Sequence, residues 1–288
     1  MKKRPRRILY ASLLLLAALL LAALLIFRNE LMTLASLKKV DAHPLYQMAY
    51  HGDYGFNDFL KTGARSDEEI ERFIMKRLLK GIDIDLNIAS AACSAFCATN
   101  EQGQRIFARN FDFDPAPALL LKTDPDDGYS SLGIVNLAFA GYGGDYLPTP
   151  YTFSNFLTLA APYLPFDGMN EKGVAMALLA VPHAEPPVSG DKIMLNTTTM
   201  IRLVLDRAAS VEEALDITSP RARFKSVWGR TTARFTLLRR ERCNNGKLAS
   251  QEKGRGYSGE ECKAHCPVLS AHFSLDLGLL FCHHTQQA

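Results

Sequence analysis

Residues 93–113 read CSAFCATNEQGQRIFARNFDF, and this stretch decides the fold class and the chemistry that we expect. The pattern predicts two strands on either side of a turn at residues 100–103. Such a hairpin brings Cys93, Arg109 and Asp112 to the ends of neighbouring strands. A thiol, a guanidinium and a carboxylate together are the minimum set for a cysteine nucleophile that attacks an amide. We therefore take these three residues as candidate catalytic residues.

A thiolate is the attacking species in such chemistry, and a free cysteine has a pKa of about 8.5. The nearest upstream histidine is His51, so a histidine base would have to be brought close by the fold. Alternatively, a cut between Ala92 and Cys93 would expose an α-amine with a pKa of about 7.7–8.0, which can act as the base. Arg109 would then favour the thiolate through its charge. Asp112 would hold the amine through a charge-assisted hydrogen bond.

A second informative stretch is the turn at residues 168–173, which reads GMNEKG and precedes a predicted strand at Val174–Val181. A tetrahedral intermediate needs hydrogen-bond donors aimed at its oxygen, and the loss of one such donor raises the barrier by about 2.7–4 kcal/mol. A backbone N–H of this turn or the side-chain amide of Asn170 is a candidate donor. Asn170 could also serve only to form the turn, and both interpretations stay open.

Together, Cys93, Arg109, Asp112 and the turn at residues 168–173 resemble the choloylglycine hydrolase and acid ceramidase-like linear amide C–N hydrolases, which are cysteine N-terminal nucleophile hydrolases. Arg109 follows Cys93 by 16 positions and Asp112 follows it by 19, which is the spacing of that family. The resemblance implies an α+β fold, the αββα sandwich of N-terminal nucleophile hydrolases. The family's later asparagine and arginine have no counterpart that we can place. We therefore expect an incomplete sandwich, with a truncated or altered C-terminal part.

The same resemblance implies a function and a role for each site residue. The expected reaction is hydrolysis of a carbon–nitrogen bond in a linear, non-peptide amide, as in choloylglycine hydrolases and penicillin V acylases. It would proceed through an acyl-thioester on Cys93 after self-cleavage removes the residues up to Ala92. Asn170 would help to bind the oxyanion. The implied partner is a small-molecule acyl-amide substrate, and no cofactor or metal is expected. A catalytically inactive remnant of the family is the alternative.

An uncharged apolar segment, ILYASLLLLAALLLAALLIF, occupies residues 8–27. About 20 such residues are enough to span the hydrocarbon core of a bilayer. Basic residues precede the segment, which predicts a cytoplasmic N-terminus and a membrane-anchored, extracytoplasmic catalytic part. A signal peptide is the alternative, with cleavage near the small-residue site at residues 33–35 and secretion of the remainder.

The chain is predicted to have four parts. Residues 1–27 form a cytoplasmic basic flank and the transmembrane anchor or signal peptide. Residues 28–92 form a stalk and a propeptide-like helical segment, in which a capping box at residues 66–69 marks the start of an amphipathic helix. Residues 93–217 form a partial N-terminal nucleophile hydrolase-like domain, and residues 218–288 form an atypical tail.

The bulk composition narrows the function classes further. A hydrophobic content of 48% supports a sizeable core, and a net charge of +3 is too small to indicate a polyanionic partner, so we expect no nucleic-acid binding. Four of the six cysteines lie in the tail, which leaves a membrane-anchored zinc-binding or interaction protein as a third interpretation. These cysteines are Cys243, Cys262, Cys266 and Cys282. The sequence leaves homo-oligomerisation open.

Overall fold

Helices and strands both contribute to the core, as the predicted α+β class requires. The computed structural model describes residues 4–41, 43–81, 92–102, 105–112, 115–180, 192–218, 224–226, 233–234 and 280–282. The helices are α1 (Arg4–Ile26), α2 (Arg28–Ala35), α3 (Phe56–Thr62), α4 (Asp67–Arg77), α5 (Thr197–Arg207) and α6 (Val211–Thr218). Short 3₁₀ helices lie at Leu137–Ala140 and Phe153–Tyr163. The strands are β1 (Lys38–Lys39), β2 (Leu45–Ala49), β3 (Ala92–Thr99), β4 (Arg105–Asp112), β5 (Ala118–Thr123), β6 (Ser131–Asn136), β7 (Pro165–Asn170), β8 (Ala175–Ala177), β9 (Leu179–Ala180), β10 (Ile193–Leu195), β11 (Phe224–Ser226), β12 (Ala233–Arg234) and β13 (Leu280–Cys282).

The main sheet of the described residues contains seven strands in the order β1-β2-β5-β6-β7-β8-β13. β2 pairs with β5 in parallel, and the other neighbouring pairs are antiparallel. Residues along β5 alternate, with Leu119 and Leu121 in the core and Leu120 exposed. This period of two is the pattern of a sheet that covers a core with one face. The mixed sheet is consistent with the predicted fold, and the complete αββα sandwich stays a prediction.

The segment before Cys93 is packed into the same core. β2 lies inside the main sheet, between β1 and β5, and its Tyr46 and Met48 are buried. Phe59 of α3 and Ile74 of α4 belong to the same cluster of buried residues. The expectation of a stalk at the start of residues 28–92 therefore differs from the structure. The difference arises because β5, the strand that pairs with β2, lies beyond Cys93 in the sequence, and no local pattern reveals that pairing.

Helix α4 begins where its capping signal predicts. Ser66 Oγ accepts a hydrogen bond from the backbone N–H of Glu69 at 3.3 Å, and a carboxylate oxygen of Glu69 accepts one from the backbone N–H of Arg65 at 2.9 Å. The first contact satisfies a donor that the first turn of the helix leaves open, and the second satisfies the donor just before the N-cap. Ile70 and Ile74 lie four residues apart on one face and are buried, so two successive turns of the helix pack against the core.

Two glycines permit close packing around β7, one against the neighbouring strand and one against α5. Gly133 on β6 and Gly168 on β7 are opposite each other in the ladder. A Cβ atom on Gly168 would come within 2.7 Å of Leu205 Cδ1 on α5, and one on Gly133 within 2.7 Å of the Asp167 carbonyl oxygen. Both distances are too short for packed heavy atoms. The first glycine of the turn at residues 168–173 therefore serves the packing of α5 against β7.

The apolar helix α1 stands apart from the core. Its segment Leu9–Ile26 has a mean hydropathy of 2.7, and none of it is buried. By length and composition it is the one helix among the described residues that could cross a membrane, and a signal sequence would meet the same criteria. α2 follows almost without a break, because the N–H of Phe27 donates to the carbonyl oxygen of Ala23 and the N–H of Leu31 to that of Phe27. The apolar helix thus joins the body of the protein without a linker.

The tail is described at three short strands. β11 pairs in parallel with β10, β12 antiparallel with β9, and β13 antiparallel with β8. Cys243, Cys262 and Cys266 lie outside the described residues, and Cys282 ends β13. The zinc-binding interpretation of the tail therefore stays a prediction.

Candidate functional site

The hairpin that carries Cys93 has the form that the sequence predicts. β3 and β4 pair antiparallel along the full length of both strands. In this register Cys93 is opposite Phe111, and Asp112 is opposite Ala92, one step from residue 93. The ladder thus brings the backbone of Cys93 next to that of Asp112 at one end of the hairpin.

Arg109 lies on the same face of the hairpin as position 93. It is opposite Ala95, two residues beyond Cys93. Residues directly opposite share one face of an antiparallel pair, and the face alternates along each strand. Positions 93 and 109 are therefore diagonal neighbours on one face, a relationship that corresponds to a separation of about 7–8 Å. Position 112 lies on the opposite face of the hairpin. It is therefore close to residue 93 through the paired backbones and not through a shared face.

The Arg109 side chain fastens the hairpin to the main sheet. Its Nη1 donates to the carbonyl oxygen of Phe166 and to Oδ2 of Asp167, each at 2.9 Å. Its Nη2 donates to the carbonyl oxygen of Leu178 at 2.6 Å. The side chain is only 5% exposed, so these charge-assisted bonds are largely shielded from water. The residue predicted to tune the thiol is thus a buried cation with partners on β7 and just after β8.

Asp167 is a member of this cluster that the sequence pattern did not identify. Its carboxylate is 14% exposed and forms an ion pair with Arg109. Burial raises the pKa of the Asp167 carboxyl, and Arg109 opposes that rise through its charge and its hydrogen bond. One signal was present, because Asp167 is the charged residue of an otherwise uncharged strand. The partner lies 58 residues earlier, so only the folded structure assigns the pair.

The Asn170 side chain uses all of its hydrogen-bonding capacity inside the protein. Its Nδ2 donates to the carbonyl oxygens of Leu205 and Ala208, at 3.1 and 2.8 Å. Its Oδ1 accepts from the backbone N–H groups of Lys172 and Val174, at 3.1 and 3.0 Å. An amide offers two donors and two lone pairs, so these four bonds satisfy it. In this arrangement Asn170 closes the turn and fastens it to the end of α5.

Asn170 lies at the far end of β7 from the Arg109 cluster. Asp167 and Asn170 are three residues apart on the strand, which corresponds to about 10 Å. The structure thus places Arg109 on the same hairpin face as position 93 and pairs it with Asp167, and it does not bring the Asn170 amide beside Arg109. The roles predicted for Cys93, Arg109, Asp112 and Asn170 stay predictions.

A second buried ion pair lies on α5, away from the hairpin. Arg202 Nη2 is 2.8 Å from Asp206 Oδ1 and donates to Ser131 Oγ at 2.8 Å. The Tyr54 hydroxyl donates to the Asp206 carboxylate at 2.8 Å. The pair links β6, α5 and the segment just before α3, which is a structural role. The spacing of four residues between Arg202 and Asp206 is a local signal in the sequence, whereas their contacts with Tyr54 and Ser131 join residues far apart along the chain.

The described part of the site offers electrostatic chemistry. A buried guanidinium lies on the face of position 93, and strand pairing places the backbone of residue 93 next to that of Asp112. Within the described residues, no group of three or more histidine, cysteine, aspartate or glutamate side chains could hold a metal ion. The buried guanidinium can stabilise a negative charge that develops on the face of position 93.

Residues 93–220 match the family model described as linear amide C–N hydrolases, choloylglycine hydrolase family. The match begins at Cys93 and includes Arg109, Asp112 and Asn170. The resemblance predicted from the spacing of these residues is therefore confirmed over this part of the chain. Among curated proteins, none matches. Over these residues the chain is similar to a family of hydrolases that act on linear amides.

Proposed function

We propose that this protein hydrolyses the carbon–nitrogen bond of a linear, non-peptide amide, with Cys93 as the nucleophile. The observation that carries the proposal is the family match, which starts at Cys93. The hairpin register supports it, because positions 93 and 109 share one face and Asp112 adjoins residue 93 in the ladder. The substrate is a small molecule in which an acyl group is joined to an amine.

The reaction begins with hydrolysis of the peptide bond between Ala92 and Cys93. One water molecule is consumed, and Cys93 becomes a chain start with a free α-amine. The Cys93 sulfur then attacks the substrate carbonyl, and its proton passes through the α-amine to the leaving amine. The carbon–nitrogen bond breaks and an acyl-thioester forms. A second water molecule hydrolyses the thioester, releases the acid and returns the proton to the thiol.

Asp112 holds the new α-amine in this proposal. Before the cut, the residue opposite Asp112 in the ladder is Ala92. Removal of Ala92 leaves the α-amine of Cys93 at the end of its strand, next to the ladder position of Asp112. A carboxylate there stabilises an ammonium group by a charge-assisted hydrogen bond, so it fixes the base in place. The alternation of faces does not prevent this contact, because the α-amine is a backbone group in the plane of the hairpin.

Arg109 favours the thiolate of Cys93. An opposite charge within about 4–6 Å lowers the pKa of an acidic group, and the effect weakens with distance. Arg109 is buried and bonded to two backbone carbonyl groups, so its charge has a fixed position. Asn170 helps to bind the oxyanion, and to do so its Nδ2 would exchange one of its two carbonyl partners on α5 for the substrate oxygen.

The catalytic part lies outside the cytoplasm and is held at the membrane by residues 8–27. The length and mean hydropathy of Leu9–Ile26 support this placement. The direct passage from α1 to α2 then puts the body of the protein against the membrane surface. Secretion after cleavage of a signal peptide is the alternative, and fractionation of cells distinguishes the two because only an anchored protein stays in membranes washed with alkaline carbonate.

Trapping of the acyl-enzyme tests the proposed reaction. The full chain is incubated with a panel of fatty-acyl and aryl-acyl p-nitroanilides, quenched in acid and mapped by mass spectrometry. We expect an acyl group on the peptide that contains Cys93, removable by neutral hydroxylamine as a thioester should be. Cys97→Ala is the matched control, since it removes a thiol of the same strand and should leave the adduct in place. An adduct that persists in Cys93→Ala would contradict the proposal.

A catalytically inactive remnant of the family is the second candidate, and the state of Asn170 favours it. Both amide hydrogens of Asn170 are donated to α5, so the proposed oxyanion donor is occupied. A remnant would give neither a chain start at Cys93 nor an acyl adduct. Asn170→Ala removes four buried hydrogen bonds and should lower thermal stability under either role, so kcat of the folded protein separates them: a catalytic role lowers kcat, whereas a purely structural role leaves it unchanged.

A further inference from the structure

The Arg109–Asp167 ion pair carries an inference about how the thiol is tuned, and this inference rests on the proposed role of Cys93. Arg109 Nη1 and Asp167 Oδ2 are 2.9 Å apart, and both side chains are largely buried. A guanidinium and a carboxylate this close form a nearly neutral pair. A thiol nearby therefore experiences only a fraction of the field that a lone cation would exert.

Two of the bonds that hold Arg109 are independent of the Asp167 carboxylate. They run to the backbone carbonyl oxygens of Phe166 and Leu178. An uncharged residue of the same shape at position 167 would still accept a hydrogen bond from Nη1. The guanidinium would then keep its place on the face of position 93 and lose the negative charge at position 167.

We propose that Asp167 is a positioning residue that acts on the Cys93 thiol through Arg109: it helps to hold the guanidinium in place and offsets most of its charge. The thiol therefore keeps a higher pKa than a lone Arg109 would give it. This arrangement suits the chemistry, because the nucleophilicity of a thiolate falls as its pKa falls and the best attacking thiol has a pKa near the ambient pH.

A purely structural role for Asp167 would give different results. The ion pair also ties the hairpin to β7, so a change at position 167 can lower stability without any effect on the thiol. The two roles separate when shape and charge are changed independently. Asp167→Asn keeps the shape and removes the charge, whereas Asp167→Glu keeps the charge and changes the shape.

The test measures the rate of Cys93 alkylation by iodoacetamide against pH, with the modified peptide quantified by mass spectrometry. All proteins carry Cys97→Ala so that the peptide holds a single cysteine. We expect the midpoint of the pH curve to fall by about 0.5–1 unit in Asp167→Asn, the size that Coulomb's law gives for one charge at about 10 Å in a medium between protein and water. Asp167→Glu should leave the midpoint at the parent value. Glu171→Gln is the matched control, because it removes a partly exposed carboxylate close by in the sequence.

An unchanged or raised midpoint in Asp167→Asn overturns the inference, and so does a shift in Asp167→Glu as large as that in Asp167→Asn. A lowered thermal unfolding temperature with an unmoved midpoint assigns Asp167 a structural role only. Failure of the proposed function has another signature, namely the absence of an acyl adduct on Cys93 in the unmodified chain. The alkylation midpoints remain measurable in that case, so the two failures are distinguishable.

Discussion

Tyr54 and Asp206 join the two parts of the chain that flank Cys93. The Tyr54 hydroxyl is 2.8 Å from each carboxylate oxygen of Asp206, although the two residues are 152 positions apart. Both side chains are buried, and the Arg202 guanidinium lies over the Tyr54 ring at 5.6 Å from its centroid. The segment before Cys93 is therefore held by specific polar contacts as well as by apolar packing.

Removal of the Tyr54 hydroxyl should destabilise the protein. In Tyr54→Phe the buried Asp206 carboxylate keeps its ion pair with Arg202 and loses one donor, and a hydrogen bond to a charged group is worth about 1.5–3 kcal/mol. We expect the free energy of unfolding in urea to fall by that amount with an unchanged slope. A loss below about 0.5 kcal/mol would mean that the hydroxyl adds nothing beyond a typical weak hydrogen bond.

The neighbouring Tyr163 should respond in the opposite way. Its hydroxyl is buried and has no hydrogen-bond partner among the described residues. Burying such a group costs about 1–3 kcal/mol, so Tyr163→Phe should leave the free energy of unfolding unchanged or raise it. The Tyr54 and Tyr163 substitutions remove the same atom, and their comparison isolates the hydrogen bond.

Tyr163 also predicts how stability depends on alkaline pH. Burial raises its pKa above the ordinary value for tyrosine. The folded state therefore keeps the phenol proton at pH values where the unfolded chain has lost it, and stability falls as the pH rises through the unfolded value of about 10. The slope is about 1.4 kcal/mol per pH unit for this residue. Urea titrations between pH 9 and 11 should show a shallower decline in Tyr163→Phe, and parallel curves would contradict this account.

Gly168 should tolerate no larger side chain. In Gly168→Ala the new methyl group would lie 2.7 Å from Leu205 Cδ1 and 2.8 Å from the Leu132 carbonyl oxygen. Overpacking of this kind costs about 1–3 kcal/mol. Gly143→Ala is the matched control, since nothing lies within 4 Å of its added Cβ. Thermal unfolding of both variants tests this, and equal melting temperatures would show that α5 moves away from β7 without cost.

The two fragments made by a cut before Cys93 should stay together. β2 lies between β1 and β5 in the main sheet, and the buried side chains of α3 and α4 share the core with residues beyond Cys93. Release of the first fragment would expose this apolar surface, which is strongly unfavourable in water. We expect one peak in size-exclusion chromatography and two bands in a denaturing gel. Separation of the fragments in native buffer would contradict the packing of this segment.

Local signals in the sequence predicted local structure well. The capping residues Ser66 and Glu69 marked the start of α4, and the alternation around the turn at residues 100–103 predicted the β3–β4 hairpin. These features depend on contacts between near neighbours in the chain, which a sequence pattern records directly. The family resemblance followed from the same hairpin, because the spacing of Cys93, Arg109 and Asp112 is itself local.

Contacts between residues that are distant in the sequence could not be predicted from the sequence pattern. β2 gave no sign that its partner is β5, so its segment resembled a stalk. The sequence did not indicate that Asp167 pairs with Arg109, since a single carboxylate in a strand can pair with any cation that the fold brings close. The turn residue Asn170 could be predicted as a polar group in a loop, but its bonds to the end of α5 depend on the packing of the whole helix.

The measurement that tests the central claim most directly is the identity of the first residue of the mature catalytic fragment. The full chain, with residues 1–27 in place, is expressed, purified and examined by intact mass and by sequencing of its amino termini. Our account predicts a fragment that starts at Cys93, present in the unmodified chain and in Cys97→Ala and absent in Cys93→Ala. An intact chain across 92–93, or a cut elsewhere that survives Cys93→Ala, would contradict it.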